Sequence, residues 1–302
     1  MSKTTTKVLI TGSNGLLGQK LVNYFQQNNI AYLATANSEN KLSFLSEDDF
    51  RILDVTNPVQ VVEVIEAYNP THIINAAAMT NVDACEDFKE DCFDINTNAI
   101  RNILEVIIDT NIHLIQISTD FIFDGEKKLY SEDDTANPLS NYGKSKWQAE
   151  ELLFESGHKN YTVLRTSLIF GVGEALKKGN IFSWAMGELR AGKELNIVND
   201  QFRTPTFVDD LVQACAKVVE LNEVGVYNVA GKKLLPMNEY IILVAKYLNV
   251  DVSKVNSISS EKLNQKARRP LSSGLDISKA ETVLSYKATD FIESLSLIDN
   301  KN

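Results

Sequence analysis

The sequence predicts a doubly wound α/β fold, a parallel Rossmann sheet with a smaller C-terminal substrate-binding lobe, on three observations. Short β-branched runs alternate with helical patterns through the first half of the chain. The first run, Lys7–Thr11, opens directly into a glycine-rich turn. After about residue 170 the alternation gives way to shorter, interrupted pieces. Continuous apolar strands separated by helices belong to parallel sheets covered on both faces.

Taken in order, Lys7–Thr11 (KVLIT) is a buried-strand run, and Leu16–Asn28 carries Leu17, Leu21, Val22 and Phe25 at helical spacing. Ile30–Ala34 reads as the second strand and Arg51–Leu53 as the third. Pro58 suits a first helical turn and opens Val59–Tyr68. His72–Asn75, His113–Ser118 and Tyr161–Arg165 follow as strands separated by helices. Beyond them, Ile181–Ala191, Phe207–Leu221 and Asn238–Leu248 read as helices, with Gly225–Val229 a short strand of the smaller lobe. The expected division is a dinucleotide-binding domain over residues 1–170. Residues 171–302 are mostly substrate lobe, with some segments returning to the first domain.

Composition excludes several classes. With 302 residues, 44% apolar and 23% charged, the chain can bury a sizeable core and is not disordered. Thirty Lys and Arg against forty Asp and Glu give a net charge of −10 and no basic patch, which argues against nucleic-acid binding. A local pocket can still take a small phosphorylated ligand. Cys85, Cys92 and Cys215 are odd in number and lack CxxC spacing, and His72, His113 and His158 are scattered, so neither disulfides nor a metal site is expected. No secretory h-region or membrane-length apolar run is visible, and the expectation is a cytoplasmic protein.

Gly12, Asn14, Gly15, Leu16, Leu17 and Gly18 form a GxxGxxG turn between the first strand and first helix. A pyrophosphate there meets free N–H groups at the positive end of the helix dipole. No carboxylate stands at the end of the second strand, where NAD enzymes hold the ribose 2′-OH. Asn37, Ser38 and Lys41 lie there and can accept a 2′-phosphate, so NADPH is favoured and NADH also allowed. Asp54 and Val55 follow the third strand, at a place for adenine. Ala76, Ala77 and Ala78 end the fourth, where small side chains admit a flat cofactor.

Tyr142 and Lys146 stand four apart at the start of a helix, on one face. A phenol with a pKa of about 10 is a poor acid at neutral pH, and a neighbouring ammonium lowers that value. Ser118 and Thr119 end the strand before it, where ligands of open α/β sheets bind and a hydroxyl can hold a carbonyl.

With those residues on the page, the chain resembles the extended short-chain dehydrogenases/reductases over nearly its whole length. The matches are Thr11–Gly18, the Asp54 turn, Ile74–Ala78, Asn96, Thr119, Tyr142 and Lys146. Within that family it is most similar to the dTDP-4-dehydrorhamnose reductase branch, through Val82–Glu86, Ser118–Gly125, Pro138–Lys146, Arg165–Ser167, Asn199–Thr206 and Ala267–Pro270. The resemblance implies hydride transfer to the C4 keto group of a nucleotide-linked 6-deoxysugar. Tyr142 would be proton donor, Thr119 (or Ser118) the carbonyl partner, Lys146 the ribose ligand and Asn96 a support of the proton relay. Thr80, Val82, Asp120, Phe121, Asn180, Phe182, Gln201, Thr204, Pro205 and Arg269 would meet the substrate, and a homodimer is a family-level expectation. Two positions depart from the family pattern. Arg203 replaces the usual glycine and either alters the substrate pocket or points to solvent; Met79 replaces an aromatic or His. Two other readings remain open, a nucleotide-sugar epimerase or dehydratase, and a non-catalytic subunit similar to the regulatory subunit of methionine adenosyltransferase.

Overall fold

The computed structural model describes residues 6–176 and 179–299. Its centre is a seven-stranded parallel sheet. In chain order the strands are β1 (Lys7–Thr11), β2 (Ala31–Ala36), β3 (Phe50–Ile52), β4 (His72–Asn75), β5 (His113–Thr119), β6 (Tyr161–Thr166) and β7 (Gly225–Asn228). Across the sheet they run β7-β6-β5-β4-β1-β2-β3, so the winding reverses direction between β1 and β4. Helices Leu16–Gln27 and Val208–Leu221 pack together on one face, and Pro58–Tyr68, Ala99–Ile107 and Asn141–Glu155 cover the other. Both faces are therefore dry, as the unbroken apolar strands require.

Three differences from the expected elements have a visible reason. β2 runs on to Ala36, whose carbonyl accepts from Leu53 N at 2.8 Å, so Asn37 directly follows the strand. β5 extends to Thr119, which pairs with Thr166 of β6. Gly225–Asn228, expected in the smaller lobe, joins the main sheet, because it pairs in parallel register with Thr162–Arg165.

A second apolar cluster gathers Phe170, Phe182, Phe207, Tyr240 and Phe291 with the helices Ile181–Arg190, Met237–Tyr247 and Phe291–Asp299. Short strands Leu195–Val198 and Val255–Ile258 pair beside it. Among the described residues no helix is long and apolar enough to cross a membrane, and no His, Cys, Asp and Glu cluster suits a metal ion.

At the amino ends of the strands, His72 of β4 and His113 of β5 are buried and stacked, with ring centroids 5.5 Å apart. Burial lowers the His113 pKa to about 4, with smaller contributions from His72 and His158. Its unfolded value is about 6.5. Between those values the unfolded chain binds more protons, so stability falls as pH drops through that window. Urea midpoints are expected to be lower at pH 5 than at pH 7, with a smaller difference in His113→Gln; equal differences in the two proteins would exclude His113 as the cause.

Candidate active site

The carboxyl ends of β1, β4 and β5 are tied by a buried polar ladder. Thr11 Oγ1 donates to Asn75 Oδ1 at 2.5 Å, and Asn75 Nδ2 donates to Gln116 Oε1 at 2.8 Å. Thr11 Oγ1 also accepts from Ala77 N at 3.2 Å, which sets Ala76–Ala78 beside the glycine turn. Gly12 has φ +71°, and a Cβ there would stand 2.7 Å from Ala77 N. At Gly18 a Cβ would stand 2.3 Å from Gly12 O, so the helix could not seat on its own turn. Any side chain at these two positions would push turn, helix and β4 exit apart.

The first helix starts after Gly15 with no side-chain cap and no acidic residue in its first turn, which leaves the positive end of its dipole to a phosphate. Asn14 Nδ2 donates to Ser38 Oγ at 3.2 Å and Glu39 O at 3.0 Å, while Lys41 N donates to Asn14 Oδ1 at 3.2 Å. The turn thus fixes the loop after β2. Asp54 closes its own turn, accepting from Thr56 N at 2.9 Å and Thr56 Oγ1 at 2.8 Å.

Thr119 ends β5 and caps the single helical turn Asp120–Ile122, accepting from Phe121 N at 3.2 Å. Helix Asn141–Glu155 begins at Ser140, whose Oγ accepts from Gly143 N at 3.2 Å. A Cβ at Gly143 would lie 2.2 Å from Phe121 O, so glycine lets the first turn of this helix rest on the Thr119 segment. That contact sets Tyr142 beside Thr119. Burial pushes the Tyr142 phenol well above its ordinary 10, opposed by a hydrogen bond with Thr119. One turn on, Lys146 is buried and its pKa is lowered to about 8 by desolvation, partly offset by Glu150. Its ammonium brings three donors to that place. A ribose hydroxyl would accept from it, and together with the glycine cradle this fits a dinucleotide.

Asn96 lies in a π-helical turn, Asp94–Asn98. Its Oδ1 accepts from Met79 N at 2.8 Å, and its Nδ2 donates to Met79 O at 3.1 Å and Ser145 Oγ at 3.0 Å. It therefore ties the β4 exit loop to the Tyr142 helix. Ser118 faces away from that set, donating to the buried carboxylate of Glu150. This places Thr119, not Ser118, beside the phenol.

The expected substrate residues separate. Thr80 is exposed and Val82 half-buried. Phe121 is half-buried with its ring edge-on to Tyr142 at 6.0 Å. Asp120 is fully enclosed and accepts from Ser167 Oγ at 3.0 Å and from Ser273 Oγ. Asn180 caps helix Ile181–Arg190 and donates to Gly171 O at 2.8 Å. Phe182 is wholly buried against Phe170, Tyr240 and Phe291, as helix periodicity puts it on the inner face. Thr204 is likewise interior, its hydroxyl accepting from Leu275 N at 3.3 Å, and Pro205 packs against Gly231. Gln201 donates to Gln265 at 2.9 Å. Arg269 makes two bonds to Asp83, at 3.0 and 2.7 Å, so its charge already has a partner. Arg203, for which solvent was one expectation, is buried.

Glu150 emerges only here, while Arg165 and Asp83, part of matching segments in the sequence, gain their partners here. Glu150 follows Lys146 by four positions on the same helix face, and a carboxylate on that face was the available signal.

Residues 6–301 match the family model described as the RmlD substrate binding domain. The chain is 32% identical to a dTDP-4-dehydrorhamnose reductase of Aggregatibacter actinomycetemcomitans, over 97% of this chain and 98% of that one. A crystal structure of a dTDP-4-dehydrorhamnose reductase of Bacillus anthracis in complex with NADP superposes with a TM-score of 0.82 at 26% identity, covering 99% of this chain and all (100%) of the other. Methionine adenosyltransferase 2 subunit beta of Bos taurus is 28% identical over 94% of this chain and 84% of its own. The chain belongs to the RmlD substrate binding domain family, within the extended short-chain dehydrogenases/reductases.

Proposed function

We propose that the protein is an NADPH-dependent reductase of a nucleotide-linked 4-keto-6-deoxysugar, with dTDP-4-dehydrorhamnose as substrate and dTDP-L-rhamnose as product. The observation that carries this reading is the juxtaposition of Thr119, Tyr142 and buried Lys146 at the strand ends beside the glycine cradle. Bound NADPH supplies the hydride for the C4 carbon of the sugar. Gly12, Gly15 and Gly18 would admit the pyrophosphate, with Asn14, Leu16 and Leu17 around it. Asn37 and Ser38 would lie at the adenosine ribose, and Asp54 and Val55 at the adenine. Ala76–Ala78 would let the cofactor lie close to the sheet.

Thr119 would donate to the substrate carbonyl, and Tyr142 would protonate the developing alkoxide. Lys146 would hold the nicotinamide ribose and stabilise the phenolate left behind. Asn96 would keep Met79 and Ser145 in place around that helix. Thr80, Val82 and Phe121 remain the candidates for the sugar itself. The reading also carries a cytoplasmic location and a homodimer, the latter open to sedimentation.

The similarity to a methionine adenosyltransferase subunit supports one second reading, a nucleotide-binding subunit without turnover. The deciding experiment follows NADPH oxidation with enzymatically generated dTDP-4-keto-6-deoxy-L-mannose, against NADH as comparison. Rapid consumption is expected, with NADPH preferred. NADPH binding without consumption of any ketosugar would shift the reading to the non-catalytic subunit.

A further inference from the structure

Arg203 sits in the two-residue strand Phe202–Arg203, paired antiparallel with Leu235–Pro236 in the smaller lobe. It is a buried cation, 4% exposed. Its guanidinium donates to Phe202 O at 2.7 Å through one terminal nitrogen and to Pro270 O at 2.8 Å through the other. A longer contact runs from the first nitrogen to Leu271 O at 3.5 Å, so carbonyls of the Phe202 and Pro270–Leu271 segments hold the group in place. Its Cζ stands over the ring of Phe121, 5.3 Å from the centroid. Phe121 in turn meets Tyr142 edge to face, at 6.0 Å and 73°. The three side chains form one stack that runs from the Phe202–Arg203 strand to the phenol.

We propose that Arg203 is a positioning residue for the reduction: it holds Phe121 against Tyr142 and so fixes the wall on which the sugar rests. The proposal rests on the reductase reading. Phe121 and Tyr142 are both partly exposed while Arg203 is buried, so the two rings meet the ligand and the arginine acts through Phe121. The backbone of Phe121 is already fixed by the Thr119 hydroxyl and by Gly143, which leaves its ring as the freedom that Arg203 removes. Asp120 gives the cation a reason to stay. Burial pushes the Asp120 carboxyl up, and Arg203 is the first of the groups that oppose this, ahead of Ser273, Ser167 and Thr119. Arg269, the nearby like charge, is tied to Asp83. Lysine can balance Asp120, but its point charge neither lies flat on a ring nor bridges two carbonyls.

The experiment compares the unmodified enzyme with R203K, F121L and the double variant, measuring kcat and KM for the ketosugar nucleotide and Kd for NADPH. Each single variant is expected to raise KM for the sugar nucleotide about tenfold, with kcat less affected, as suits loss of one cation–π contact. The NADPH Kd stays within about twofold, since the cradle is untouched. The double variant is no worse than the worse single one, because both break the same stack. Unchanged KM in R203K, or additive losses in the double variant, would overturn this role while leaving the reductase reading intact. Absence of turnover by the unmodified enzyme would overturn the reductase reading and this role with it. Should R203K fail to bind NADPH, F121L keeps Arg203 opposite Asp120, and an unchanged KM in that variant overturns the proposal equally.

Discussion

Tyr142→Phe is expected to bind NADPH as tightly as the unmodified protein and to lose ~10²–10⁴-fold in turnover, the range for removal of a general acid. The substitution keeps the ring and its edge contact with Phe121 while deleting only the hydroxyl. Burial holds the phenol well above its ordinary value in the free protein, with Thr119 opposing it, so the neutral acid is the resting form. The proposed reduction needs that form, because the proton would travel from tyrosine to the alkoxide. Lys146 would matter at the next instant, when a phenolate remains. Its pKa of about 8, lowered first by burial, means that the ammonium is lost as pH rises through that value. The profile of kcat/KM for NADPH, which reports the free enzyme, should be level near neutrality and fall above about pH 8. Fluorescence titration of NADPH and initial rates across pH test both parts. A variant with unmodified rates would remove Tyr142 from the mechanism.

The parts of this site that were legible in the sequence are those set by local backbone rules. Gly18 is glycine because turn and helix crowd the same space, which follows from a strand–turn–helix alone, while Gly12 sits at positive φ in that turn and also meets the β4 exit. Tyr142 and Lys146 share a face because four residues make about one helical turn. Strand periodicity likewise placed β1 and β4 to the residue.

What the sequence could not show depends on contacts between distant segments. Gly225–Asn228 belongs to the sheet because β6 offers it an open edge, and its own four residues say nothing of that partner. Phe182 looked like a lobe residue near substrate, whereas helix packing buries it among three aromatic rings. Arg269 looked free for a diphosphate until Asp83, far away in sequence, took its charge. In the acidic turn Ser131–Asp134, Glu132 accepts from Asn228 N at 2.8 Å through its side chain and from Arg165 at 2.9 Å through its carbonyl. Each of these rests on a strand edge, a charge or a ring supplied from elsewhere, and periodicity carries no such information.

The second large effect is expected at Glu150. Its carboxylate is wholly buried and grips Arg165, which is 3% exposed, with Nη2–Oε2 at 2.7 Å and Nε bonds at 3.1 and 3.2 Å. Ser118 donates to the same carboxylate, so helix Asn141–Glu155, β5 and β6 meet on one charge. Glu150→Ala leaves Arg165 with only the Glu132 carbonyl and the Phe123 ring, 5.6 Å away. An uncompensated buried charge costs about 3–5 kcal/mol, or a fall in Tm of roughly 10 °C for a chain of this size. Replacing both partners with apolar residues, Glu150→Leu with Arg165→Met, should cost less than Glu150→Ala alone, because no charge is then stranded. Calorimetry on the three proteins decides this, and a double variant less stable than the single one would show that the pair itself, and not the stranded cation, holds the helix. Glu150→Gln separates stability from catalysis. It retains hydrogen bonding toward Ser118 and Arg165 but removes the negative charge that favours protonated Lys146. With that charge gone the ammonium is harder to keep, so its pKa moves below about 8 and the basic limb of the pH profile shifts toward neutrality. A limb that stays in place in Glu150→Gln would mean that Glu150 stabilises the fold without setting the charge of Lys146.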